Sequence, residues 1–127
     1  LGKVASGGEL SRISLAIQTA LSGMAGVPTL IFDEVDVGIG GSVAEAVGRR
    51  LARLGETCQV LVITHLPQVA ARGAHHLCVA KQTGDGWVSS HIARLDAEAR
   101  IEEIARMLGG LKITATTRRH AAEMLAG

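Results

Sequence analysis

The stretch from Thr29 to Gly41, TLIFDEVDVGIGG, limits what this chain can fold into more than any other. Thr29, Leu30, Ile31 and Phe32 run straight into two adjacent carboxylates, Asp33 and Glu34, and a glycine-rich turn follows. A short apolar run without alternation reads as a central parallel strand covered on both faces, not as a half-exposed one. Acids at the carboxyl end of such a strand stand where open α/β sheets place their ligands. The rest of the chain is organised around what those acids act on.

The segments after this strand complete the unit. Ser42 and Glu45 have the S-x-x-E form of a capping box, which predicts a helix running to about Leu54 with Val43, Ala46, Val47, Leu51 and Leu54 on one side and Gly55 closing it. Gln59 to Thr64, QVLVIT, is a second continuous apolar strand that ends at His65, and Leu66-Pro67 opens a short helical turn with proline near its first position. Strand, helix and strand of these lengths form a right-handed βαβ unit, so the two strands should be parallel. Their carboxyl ends then share one rim, which brings Asp33, Glu34 and His65 together.

Upstream, Ser6-Gly7-Gly8-Glu9 is another S-x-x-E start, followed by an apolar stripe at Leu10, Ile13, Ile17, Ala20, Leu21 and Met24. Glycine inside a first helical turn costs about 1 kcal/mol against alanine. Two of them suit the close approach of an anion to bare N–H groups at a helix start, although a turn that only caps the helix would read the same way. Downstream, His75 to Gln82 and Trp87 to Leu95 are β-rich runs joined by Thr83-Gly84-Asp85-Gly86, a hairpin signal. Asp96 should cap a helix from about Ala97 to Leu108 with Ile101, Ile104, Ala105 and Leu108 as its stripe, Gly109-Gly110 should end it, and Thr114 should open a last helix to about Leu125. No internal repeat, low-complexity tract or linker is visible.

Composition narrows the function classes. At 127 residues the chain is one modest domain or a piece of a larger one, and since it opens on Leu1 just before a motif, a fragment lacking its N-terminal part is expected. Aromatic residues are 2% (Phe32 and Trp87), so the core must be aliphatic. A formal charge of +1 gives no support to a broad nucleic-acid-binding face. Arg49, Arg50, Arg53, Arg118 and Arg119 read as solvated faces or partners of helix C-termini. No run approaches a membrane span and no signal peptide opens the chain. Cys58 and Cys78, in or beside apolar runs, read as reduced buried thiols of a cytosolic protein, and the histidines lack ligand spacing.

Three residues on the predicted rim carry chemistry. Asp33 suits Mg²⁺, which is commonly held by one or two carboxylates with phosphates and waters completing the octahedron. Glu34 can hold or deprotonate an attacking water, and His65 can hydrogen-bond a terminal phosphate or that water. Taken singly, the acids could be a solvated strand end and His65 a helix-entry residue. A phosphate loop of the form G-x-x-x-x-G-K-[ST] is absent: Lys3 is followed by Val4, and Gly41-Ser42 lacks the lysine. Unaided, the chain cannot hold a nucleotide in the usual way.

At these residues the sequence resembles a known family. S-G-G-E at 6–9, the strand ending in Asp33-Glu34, and His65 are similar to the signature motif, Walker B motif and switch histidine of ABC-type ATPase heads. The longer strings ASGGELSR (5–12), IFDEVDVGIGG (31–41) and THLPQVA (64–70) resemble the bacterial DNA-repair relatives of the structural-maintenance-of-chromosomes (SMC) proteins. The resemblance implies an α/β fold, the C-terminal lobe of a P-loop ATPase head, with a parallel-strand core, flanking helices and a β-hairpin. Residues 1–127 would form the C-terminal part of the head, with the Walker A lobe and coiled coil outside the chain. It implies ATP and Mg²⁺ as cofactors, with Asp33 serving Mg²⁺, Glu34 the general base and His65 sensing the γ-phosphate. Ser6, Gly7 and Gly8 would contact an ATP held by a second copy of the head, with Glu9 supporting that loop.

Further expectations follow from the resemblance: a head-to-head homodimer, contact with DNA through the full-length protein in recombinational double-strand break repair, a cytoplasmic and nucleoid-associated location, and no membrane. The fragment alone should hydrolyse ATP very slowly or not at all. One departure stands out in the D-loop, where the usual acid is replaced by Gly40 and Asp36 is the only acid in the turn. A transporter nucleotide-binding domain is the alternative, which the longer strings and the VDVGIGG turn disfavour, and a non-enzymatic domain that keeps the fold is a third possibility, opposed by intact Asp33, Glu34 and His65.

Overall fold

The first strand, β1 (Thr29–Asp33), follows Pro28 and is extended as expected. Strand β2 (Gln59–Ile63) lies beside it in parallel, with Thr29 opposite Gln59 and Asp33 opposite Ile63. The ladder is closed at one end by Gln59 N–H donating to the Pro28 carbonyl (3.0 Å) and at the other by Glu34 N–H donating to the Ile63 carbonyl (3.1 Å). The structure is a computed structural model and describes residues 16, 26–34 and 36–127. The motif Ser6, Gly7, Gly8 and Glu9 lies outside the described residues, as does the helix expected after it apart from Ala16, which is helical.

The crossover between the strands is α1 (Gly41–Leu54), and α2 (Pro67–Ala70) follows β2. The inward face of α1 is Ala44, Val47, Gly48, Leu51 and Leu54, so the stripe is rotated slightly from the expected one, with Val43 and Ala46 only half-buried. Ala44, Val47, Leu51, Leu54 and Val69 form the core, packed against Leu30, Phe32, Val60 and Val62 of the sheet and against Ile39, Cys58 and Leu66. Burying such a Val or Leu side chain fully contributes about 1.5–3 kcal/mol, so the helix–sheet contact holds this unit together.

Two expectations are corrected here. The capping box of Ser42 and Glu45 does not form: α1 begins at Gly41, Gly40 is its N-cap with φ −159° and ψ 175°, and no side chain caps it. Ser42 is already helical, and an N-cap must be extended. Glu45 instead bonds Arg49 (2.5 Å) and Arg72 (3.0 Å). The sheet, expected to be covered on both faces, is covered on one among the described residues: Leu30, Phe32, Val60 and Val62 face α1, whereas Ile31, Leu61 and Ile63 are exposed, Ile31 by 67%. An unalternating apolar run does not say which layer covers which face.

The chain divides into two compact units, residues 1–72 and 73–127, a division that no linker composition announces. In the second unit, β3 (Leu77–Gly84) and β4 (Trp87–Arg94) pair antiparallel. Their connection is only Asp85-Gly86, with Gly86 at φ 79°. Gly84 pairs with Trp87 in the ladder, and the Trp87 ring lies where a β-carbon on residue 84 would stand. His75 and His76 precede β3; Leu95 N–H donates to the His76 carbonyl (2.9 Å), and the Arg94 guanidinium meets His75 Nδ1 at 2.9 Å.

Helices α3 (Ala97–Gly109) and α4 (Ala115–Ala126) start and stop as expected. Asp96 accepts from Ala99 N–H at 2.8 Å, and Thr114 accepts from Thr117 N–H at 3.2 Å. Gly110, at φ 66°, ends α3 with its N–H on the Arg106 carbonyl (2.9 Å). Ile104, Ala105 and Ala121 are buried, and Arg118 bonds Glu102 across the helix pair at 2.6 Å. Both cysteines are free and half-buried.

Candidate active site

The in-register pairing of Asp33 with Ile63 sets the site. Because the strands are parallel and end together, Asp33 and Glu34 leave the sheet at the same edge as Thr64 and His65. Asp33, Glu34 and His65 are all exposed there. The expected convergence of these three positions is therefore present in the backbone.

Glu34 carries an unusual conformation. Its φ is 50°, and it is the only non-glycine residue with positive φ among the described residues. A left-handed conformation costs an L-residue roughly 1–2 kcal/mol, and glutamate has no short side chain to offset it. The residue is held by its own backbone: its N–H donates to Ile63 and its carbonyl accepts from Val37 N–H at 3.2 Å. Every backbone bond available to the residue is thus used for placement, and the carboxylate is left in solvent. Strain of this kind gathers at functional sites.

Asp36 faces the other way. It is fully buried, and its Oδ2 accepts a hydrogen bond from the Thr64 hydroxyl. Thr64 Oγ1 in turn accepts from Leu66 N–H at 3.0 Å. The other Asp36 oxygen, Oδ1, is buried without a partner among the described residues. Gly40 is exposed and acts through its backbone as the N-cap of α1. The D-loop positions therefore divide, Asp36 inward and Gly40 outward.

The loop that carries His65 leads directly into α2. Leu66 is its N-cap, Pro67 its first residue, and both Val69 N–H (3.1 Å) and Ala70 N–H (3.0 Å) return to the Leu66 carbonyl. Gly48 lets α2 come close to α1: a β-carbon there would stand 3.0 Å from the Gln68 carbonyl oxygen and 3.2 Å from Val69 Cα. The Arg72–Glu45 bond adds a polar tie on the same side. Bonding to Arg49, and then the Arg49 charge, holds the Glu45 carboxyl below its ordinary range.

No group of three His, Cys, Asp or Glu residues among the described residues could cage a metal ion. A single exposed carboxylate at Asp33 fits a Mg²⁺ held mainly by phosphates and waters, the usual manner for this ion. It does not fit a zinc-type site, which needs three or four protein ligands.

Two features of the site have little trace in the sequence. The left-handed conformation of Glu34 has none. Thr64 could have been singled out only as a hydroxyl at the end of an apolar strand, immediately before His65.

No family model matches the chain. It is 56% identical over 125 residues to the DNA repair protein RecN of Xylella fastidiosa (strain Temecula1), an alignment covering 98% of this chain and 22% of that protein. It is likewise 56% identical over 125 residues to RecN of Vibrio cholerae, covering 98% of this chain and 23% of the relative. With RecN of Deinococcus radiodurans it shares 54% identity over 127 residues, 100% of this chain and 22% of that protein. The chain thus spans between a fifth and a quarter of the length of these relatives. A solved structure from work on ATP-driven dimerization and DNA-stimulated activation of SMC ATPases superposes with a TM-score of 0.62 at 18% identity, over 85% of this chain and 63% of that one. At that identity the likeness speaks for the fold.

Proposed function

We propose that this chain, whose sequence is RecN-type along nearly its whole length and whose fold is that of an SMC-type ATPase head, is the catalytic lobe of an ATPase acting in DNA double-strand break repair. The observation that carries this is the shared strand edge, with Asp33-Glu34 on β1 and His65 directly after β2. In the whole protein a Walker A lobe completes the head, and a coiled coil lies outside this chain as well.

Each rim residue has a distinct task in this reading. Asp33 would hold Mg²⁺, which would supply charge neutralisation to the nucleotide phosphates. Glu34 takes the proton of the attacking water as general base; its solvent-facing carboxylate on a backbone fixed at both its N–H and its carbonyl suits that task. His65 donates to the γ-phosphate. Ser6, Gly7, Gly8 and Glu9 form the signature loop, which serves an ATP bound by a second copy of the head, so the working unit is a head-to-head dimer. DNA is engaged by the full-length protein, at the bacterial nucleoid. The relatives described above are DNA repair proteins, which favours this reading over a transporter domain.

The test uses a full-length RecN chain in which this sequence occupies the matching segment. Glu34→Gln should retain ATP binding and lower turnover about 10²–10⁴-fold, the range a general base contributes. Turnover at the parent rate would overturn the proposal. Asp33→Asn should raise the Mg²⁺ concentration needed for half-maximal turnover, read by titration of the metal. The isolated chain should release phosphate from ATP very slowly or not at all, and fast release abolished by Glu34→Gln would contradict that.

A further inference from the structure

The buried Asp36 carboxyl is not accounted for by the roles above. A polar group taken out of water without a full set of partners is costly, and Oδ1 of Asp36 has none among the described residues. A turn needing only closure could use the glycines beside it. What Asp36 does instead is reach the end of the neighbouring strand, where Thr64 stands between it and His65.

We infer that Asp36 and Thr64 form a latch that positions His65 relative to Glu34. Thr64 is bonded on both sides: its hydroxyl donates to Asp36 Oδ2 and accepts from Leu66 N–H (3.0 Å). The first bond ties the turn after Glu34 to the end of β2. The second folds the chain tightly around His65, which lies between Thr64 and Leu66. Asp36 is two residues past Glu34, and Thr64 is one residue before His65. One hydroxyl therefore sets the spacing of two loops that leave adjacent strands. The strand ladder ends at Asp33 and Ile63, with one further bond from Glu34 N–H; beyond it, among the described residues, the latch is the hydrogen-bonded tie between the two loops. Asp36 and Thr64 are positioning residues, acting on the reacting groups through Glu34 and His65. This inference rests on the proposed ATPase reading.

The experiment uses the same full-length chain and separates the two. Thr64→Val, nearly isosteric, and Asp36→Asn should each lower kcat for ATP about 10–100-fold with KM for ATP changed less than about 3-fold. The double variant should be no slower than the slower single one, because the two side chains act as a unit. Thr64→Ser, which keeps the hydroxyl, should restore at least half of kcat. Parent-level kcat in Thr64→Val, while Glu34→Gln abolishes turnover, would sink the latch and leave the ATPase reading standing. Parent-level kcat in Glu34→Gln would sink both. Losses that multiply in the double variant, or Thr64→Ser as slow as Thr64→Val, would also overturn the latch.

Discussion

Glu34 is the residue at which local physics and the fold disagree. Its φ of 50° is a conformation that glycine adopts freely and glutamate does not. The usual order of alanine above glycine should therefore invert here. Glu34→Gly is expected to be more stable than Glu34→Ala by about 0.5–1 kcal/mol, the left-handed penalty less the greater unfolded-state entropy of glycine. Denaturant midpoints of the two variants check this, and alanine as the more stable one would mean the strain is absent. Neither variant has a carboxylate at this position, so the comparison isolates the backbone from the chemistry.

Among the elements, the contact of α1 with α2 carries the site. Gly48 is the close-approach position, and the atom a larger residue would meet first includes a backbone carbonyl, Gln68 O at 3.0 Å, which cannot rotate away. Gly48→Val should cost about 1–3 kcal/mol by overpacking, read from the thermal midpoint, and should lower ATP turnover with it because the His65 loop runs directly into α2. In the second unit the helix starts are held by side chains. Asp96→Ala should remove the bond to Ala99 N–H and cost about 1 kcal/mol, with faster amide exchange confined to the first turn of α3. The absence of any side-chain cap on α1 follows from the same principle: the glycines of the preceding turn deliver the chain extended at Gly40, two residues too early for Ser42 to serve.

At the scale of the whole molecule, the chain divides into two units, and the second contains two groups that should make its stability depend on pH. His76 is half-buried, and its pKa is lowered from the ordinary 6.5 by burial and then by the Arg100 charge, with Glu103 opposing. The unfolded chain thus takes up a proton at a higher pH than the folded one. The stabilising contribution is complete above 6.5 and falls as pH drops from there to the lowered folded value. Glu103 is held low chiefly by its bond to Arg106 (2.6 Å). Its contribution is present above 4.5 and is lost as pH falls through the folded value. Amide protection in residues 73–127, taken relative to the intrinsic exchange rate at each pH, should therefore fall between pH 7 and 5.5, and His76→Asn should flatten that response; an unchanged response in the variant would point to another group.

Much was legible in the amino-acid sequence because it is local. The order of strands and helices, the caps at Asp96 and Thr114, the hairpin and the rim positions Asp33, Glu34 and His65 follow from apolar periodicity, capping chemistry and the handedness of βαβ units, all of which act over a few residues or one crossover. Tertiary structure decided what depends on which surfaces meet. It left Ile31, Leu61 and Ile63 uncovered among the described residues, divided the chain after Arg72, and started α1 at Gly41. In the stretch TLIFDEVDVGIGG it separated three acids that look alike in the sequence, leaving Asp33 and Glu34 in solvent and burying Asp36 against Thr64. A hydrogen bond between residues 28 positions apart exists only once β1 and β2 are paired, so no local pattern could announce it.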